Sequence, residues 1–85
     1  MFVYTDNKNN RIEVTANEQL VSGNISRWYI YIESFSDNKR SGQLWFTDER
    51  GLVKFFDTEK QAITEIKNYL NNLMSKGVIK EYAEE

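Results

Sequence analysis

Arg27, Tyr29 and Tyr31 recur at every second residue of one aromatic and β-branched run, Arg27 to Phe35. In an extended chain that spacing sends all three side chains to one face. Trp45 on the next extended segment is placed beside them by the same alternation. So is Lys54 on the segment after that, with Phe56 as a further candidate. Tyr, Trp and Arg combine rigid contact area with polar tips and are the types enriched at binding hot spots. The chemistry within reach of such a set is recognition through stacking, cation–π contact and charge-assisted hydrogen bonds.

Bond-making chemistry has much less to work with. The chain contains no His and no Cys, so the commonest general base and the strongest nucleophile are both missing. Asp48 and Glu49 are paired only by adjacency in a turn, which solvation explains. Asp6 to Glu13 lacks the glycine and ligand spacing of a calcium loop, and no glycine-rich phosphate loop is present. The sequence therefore predicts a non-enzymatic protein with neither cofactor nor metal.

With 85 residues, the chain is read as one domain (1–85) near the lower size at which a single core suffices. Five Phe, five Tyr and two Trp supply the bulk for that core. The net charge is −2, so the Lys/Arg surplus on which nonspecific nucleic-acid binding rests is absent overall. No cysteine, no signal-like start over Met1 to Thr15 and no long apolar run are present. The expected location is the cytoplasm, that of the host cell if the gene belongs to a phage.

The elements that must position the aromatic set follow from periodicity. Phe2 to Thr5 reads as a short strand, Asp6 to Asn10 as a turn, and Arg11 to Ala16 as a strand with Ile12, Val14 and Ala16 on one side. Asn17 to Ser26 reads as a loop that could extend its neighbours. Arg27 to Phe35 is the strongest strand, with Trp28, Ile30 and Ile32 opposed to the Arg27 face. After a polar turn at Ser36 to Gly42 come Gln43 to Thr47, a hairpin loop at Asp48 to Gly51, and a returning strand from Leu52 to Phe56.

Thr58-Glu59-Lys60-Gln61 matches a capping box, and Gly77 fits the left-handed residue of a Schellman stop, with Val78 and Leu73 as its contact pair. Between these ends Ala62, Ile63, Ile66, Tyr69, Leu70, Leu73 and Met74 fall within an arc of roughly 140° at ~100° per residue. The class is α+β: a four- to five-stranded antiparallel sheet with one long C-terminal amphipathic helix on one face. Ile12, Val14, Ile30, Ile32, Leu44, Phe46, Val53 and Phe55 are expected to meet the helix. Val78 to Tyr82 is expected to pack back or add an edge strand, and residues 83–85 to fray.

Strand-rich segments followed by Phe56-Asp57-Thr58-Glu59-Lys60-Gln61-Ala62 resemble the sheet-to-helix junction of arm-type DNA-binding domains in phage integrases. The resemblance covers a minor part of the chain. Glu33, Asp48 and Glu49 depart from it where a DNA reader favours cations, and no functional residue is carried over. One helix covers one sheet face, which leaves the Arg27–Tyr29–Tyr31–Trp45–Lys54 face as the expected interaction surface. The leading expectation is a small protein-binding domain, an accessory or inhibitor protein of a bacterium or phage, with a two-fold homodimer as one form of it. The alternative is a nucleic-acid-binding module using the same face.

Overall fold

Two twelve-residue strands form the backbone of the molecule, and the first departure from the sequence expectation lies in their length. In the computed structural model, which describes residues 1–85, β1 is Phe2–Thr5, β2 Arg11–Ser22, β3 Ile25–Ser36, β4 Lys39–Trp45, β5 Phe55–Phe56, α1 Glu59–Ser75 and β6 Ala83–Glu84. The sheet runs β4-β3-β2-β1-β6, with β5 also paired to β3, and every pairing is antiparallel. The fold is α+β, with α1 packed on one side of the sheet.

The segment read as a loop, Asn17 to Ser26, is the far end of the β2–β3 hairpin and turns only at Gly23 and Asn24. Its polar composition hid the strand, because pairing to β3 rather than burial holds it there. The β3–β4 turn is equally tight. Asp37 and Asn38 both take positive φ, 52° and 66°, the two-residue geometry whose twist matches the flanking strands. Asp6 shapes the β1–β2 turn by accepting the backbone N–H groups of Asn10 and Lys8, each at 2.9 Å. These bonds, the one from Asn10 foremost, hold its carboxyl below the usual range.

Both helix ends form as expected. The Thr58 hydroxyl accepts the Gln61 N–H, and the Gln61 side chain accepts the Thr58 N–H in return. At the other end Gly77 (φ 73°) lets the Val78 N–H reach the Leu73 carbonyl at 2.9 Å, while the Gly77 N–H bonds Met74. This is the paired arrangement that satisfies the last orphan carbonyls. Between them Ala62, Ile66 and Leu70 are fully buried against Phe2, Ile12, Val14, Ile30 and Ile32, with Ile63, Tyr69, Leu73 and Met74 around them.

Helix length explains what the core omits. Seventeen residues span about 25 Å of helix against about 40 Å for a twelve-residue strand. The far end of the β2–β3 hairpin therefore carries Leu20 and Ile25 into solvent. The helix lies across β2, β3 and β5 and does not reach β4. Leu44, expected in the core, does face the helix side opposite Ile32, yet it is 56% exposed because nothing lies over it.

A second correction concerns Leu52 to Phe56. Beyond Trp45 the Phe46 N–H still bonds the Ile30 carbonyl; then residues 47–54 leave the ladder and Phe55 rejoins it opposite Tyr29. β4 and β5 thus lie along the same edge of β3 as one interrupted strand. Only a single bridge, Thr47 to Val53, joins the two limbs of the excursion. Gly51 (φ 80°) closes its tip as expected, but the register that results inverts the expected alternation. Phe56 packs against the core and Phe55 faces away from it. Val53 likewise stands outside the core cluster.

The C terminus supplies the third correction. Residues 83–85, expected to fray, are tied to β1 and to the start of β2: Val3 pairs with Ala83, the Glu85 N–H bonds the Met1 carbonyl, and Arg11 of β2 pairs with the Glu85 carboxylate at 2.9 Å. Ile79, at 5% exposure, anchors the returning segment in the core, and Tyr82 stands edge-on to Phe2.

Tyr4 on β1 packs at the rim of this core. Burial pushes its phenol well above the ordinary value, and the neighbouring Tyr69 and the Asp6 charge add to the rise. An unfolded tyrosine ionises near pH 10. The contribution of this group to stability is thus complete below about pH 10 and declines as pH climbs toward the folded value. Melting temperatures measured from pH 8 upward should fall more steeply for the parent than for Tyr4→Phe. Parallel curves would remove this group as the cause.

Candidate functional site

β3 presents Arg27, Tyr29 and Tyr31 on the face opposite α1, because Trp28, Ile30 and Ile32 of the same strand are turned to the helix. The cross-strand partners complete a patch. Tyr31 sits directly opposite Trp45, with ring centroids 5.1 Å apart, and its hydroxyl donates to the Gln43 side chain. Tyr29 sits opposite Phe55 in an edge-on contact at 6.4 Å. The Arg27 guanidinium lies 3.4 Å from the centroid of the Phe55 ring and donates from Nε to the Gln19 side chain at 2.8 Å.

No element of the fold lies over these residues. Tyr29, Tyr31 and Arg27 are half-buried by their neighbours in the sheet, and Trp45 and Phe55 are 38% and 37% exposed. A cleft of about 270 Å³ opens among Tyr29, Trp45, Val53 and Phe55, lined also by Glu18 and Gln19.

Of the residues singled out from sequence, four are brought together: Arg27, Tyr29, Tyr31 and Trp45. Lys54 is not. It belongs to the inverted segment, so its side chain turns to the helix side, pairing with Glu65 of α1 at 3.1 Å and lying 5.4 Å from the Phe56 ring. Phe56 leaves the patch with it, and Phe55 and Val53 take their places. Parity within Leu52 to Phe56 could not reveal this, since Phe55 and Phe56 are the same residue type. No local signal reports it, because the parity of this segment is set by where residues 47–54 return to β3.

The electrostatics of the face are mixed. Glu13 and Glu33 stand opposite one another on β2 and β3, and each is met by an arginine, Arg11 at 2.9 Å and Arg40 at 3.5 Å. Next to the aromatic rings the one cation is Arg27. The arrangement has the parts for stacking, cation–π contact and a fork of N–H donors. It brings no acid–base pair or nucleophile together, and no cluster of three or more metal-ligating side chains occurs. No helix is long and apolar enough to cross a membrane. No protein-family model, curated protein or solved structure matches this chain.

Proposed function

We propose that the chain is a non-enzymatic protein-binding domain whose docking surface is the aromatic sheet face, and that it serves as a small accessory or inhibitor protein in the cytoplasm of a bacterium or phage-infected cell. One observation carries this reading. Tyr29, Tyr31, Trp45 and Phe55 form contiguous contact area on a sheet face that no helix or further strand covers. Rings already held in cross-strand pairs lose little freedom on binding, which favours affinity. With Arg11 and Arg40 already paired to Glu13 and Glu33, Arg27 is the one cation left beside the rings, too little charge for a polyanionic partner, so protein is preferred to nucleic acid.

The test replaces Tyr31 and Trp45 together by Ala, with circular dichroism to show that the fold persists. The parent should retain a stoichiometric protein partner, or a second copy of itself, and the double variant should lose it. Neither should be retained on single-stranded or duplex DNA. Retention on DNA that weakens steeply between two salt concentrations and vanishes in the variant would replace this reading with nucleic-acid binding.

A further inference from the structure

The chain's arginines are not alike. Arg11 pairs with Glu13 and Glu85, Arg40 with Glu33, and Arg50 with Asp48. Arg27 pairs with no carboxylate, and the only hydrogen bond of its side chain is the one from Nε to Gln19. Its plane is nonetheless held in place, by Phe55 at 3.4 Å on one side and by Gln19 at the Nε end. A half-buried guanidinium fixed in this way keeps the N–H groups of its terminal nitrogens free in a planar fork, the geometry that matches a carboxylate.

The cleft among Tyr29, Trp45, Val53 and Phe55 meets Arg27 through two of its lining residues, the Phe55 ring beside the guanidinium and the Gln19 side chain at its Nε. Tyr29, Trp45, Val53 and Phe55 give it an apolar side, Glu18 and Gln19 a polar one, and its volume, about 270 Å³, is in the range of one large side chain. Arg27 and Tyr29 stand two residues apart on β3, a step of about 6.7 Å. An extended segment laid along the strand repeats that step between its own alternate side chains.

We propose that Arg27 receives a carboxylate of the protein partner, and that the adjoining cleft receives an apolar side chain two residues away in the same extended segment. This specifies the partner chemistry of the docking surface proposed above and rests on that reading. A phosphate could occupy the same fork. A run of phosphates needs several unpaired cations, and Arg11 and Arg40 are already held by Glu13 and Glu33, whereas one carboxylate within a peptide needs Arg27 alone.

Two tripeptides of the same shape test the assignment: acetyl-Asp-Ala-Phe-amide and acetyl-Asn-Ala-Phe-amide, which differ only in exchanging the carboxylate for a carboxamide that has neither the charge nor the second acceptor oxygen. Each is titrated into the 15N-labelled protein while the Trp45 indole and Arg27 Nε–H resonances are followed. The Asp peptide should shift both resonances and bind roughly tenfold more tightly than the Asn peptide, the scale of one charge-assisted bidentate contact. Arg27→Gln should erase that difference, Arg27→Lys should restore only part of it, and Trp45→Ala should weaken both peptides. Equal affinity for the two peptides, or shifts centred on Arg11 or Arg40, would overturn the role of Arg27 and leave the aromatic docking surface standing. Absence of any shift with either peptide would overturn the two-point recognition as a whole. The surface itself is judged separately by the Tyr31 and Trp45 double variant.

Discussion

Ile66→Asp is expected to leave no cooperative thermal transition at 25 °C and above. Ile66 is 0% exposed, at the centre of the contact between α1 and the β2–β3 pair. A carboxylate there meets only apolar side chains, and no buried polar group stands in this core to receive it. The loss combines the packing of a buried Ile, about 2–5 kcal/mol, with a desolvation cost of similar size. A domain of this size has a total stability of about 5–15 kcal/mol, so the two terms together consume most or all of it. Circular dichroism on heating is the measurement. A sharp transition within a few degrees of the parent would show that the helix buries a different face. Ile66→Ala gives a graded control and should melt lower but cooperatively.

The second large effect separates two neighbouring phenylalanines. Phe56→Ala should cost about 3 kcal/mol, since the ring packs against the core from the end of the interrupted edge strand. Phe55→Ala should cost about 1 kcal/mol, because the exposed ring gives up only its edge-on contact with Tyr29 and its stack with the Arg27 guanidinium. For a domain of this length those values correspond to melting shifts of roughly 12–24 °C and 4–8 °C. The order carries the prediction. A larger shift for Phe55 than for Phe56 would mean that β5 sits one residue out of the register described, because a one-residue slip exchanges the two faces.

That pair also shows where sequence reasoning stops. The helix was legible at both ends because capping and stop signals are local: Thr58 and Gln61 are three residues apart, and Gly77 needs only its own backbone angle. Its buried stripe from Ala62 to Met74 was legible because one residue in the wrong place would break the pattern. The inward sides of β2 and β3 were legible for the same reason, through Ile12 and Val14, then Ile30 and Ile32. Leu52 to Phe56 offers apolar residues on both sides, so its parity depends on how residues 47–54 return to β3, a non-local matter.

Leu44 marks a different limit. Its side of the sheet follows from alternation, but its exposure follows from where the helix ends across the sheet, and no neighbour in sequence reports that. The extension of β2 through Ser22 and the anchoring of residues 83–85 share this cause. Both depend on a partner strand, β3 in one case and β1 in the other, and very little on the composition of the segment itself. In the candidate site, the β3 residues and Trp45 were readable from alternation. Phe55 and Val53 were not, for the reason that displaced Lys54.

The manner in which residues 47–54 interrupt the edge of β3 has a further consequence. Trp45, Phe46, Phe55 and Phe56 meet Tyr31, Ile30, Tyr29 and Trp28 in unbroken succession, as though the intervening segment had been spliced into a finished strand without shifting its frame. Its length and composition are therefore free to vary while Trp45 and Phe55 keep their spacing. Because Val53 forms one wall of the cleft, this detour is where the selectivity of the surface could be retuned without disturbing the scaffold beneath.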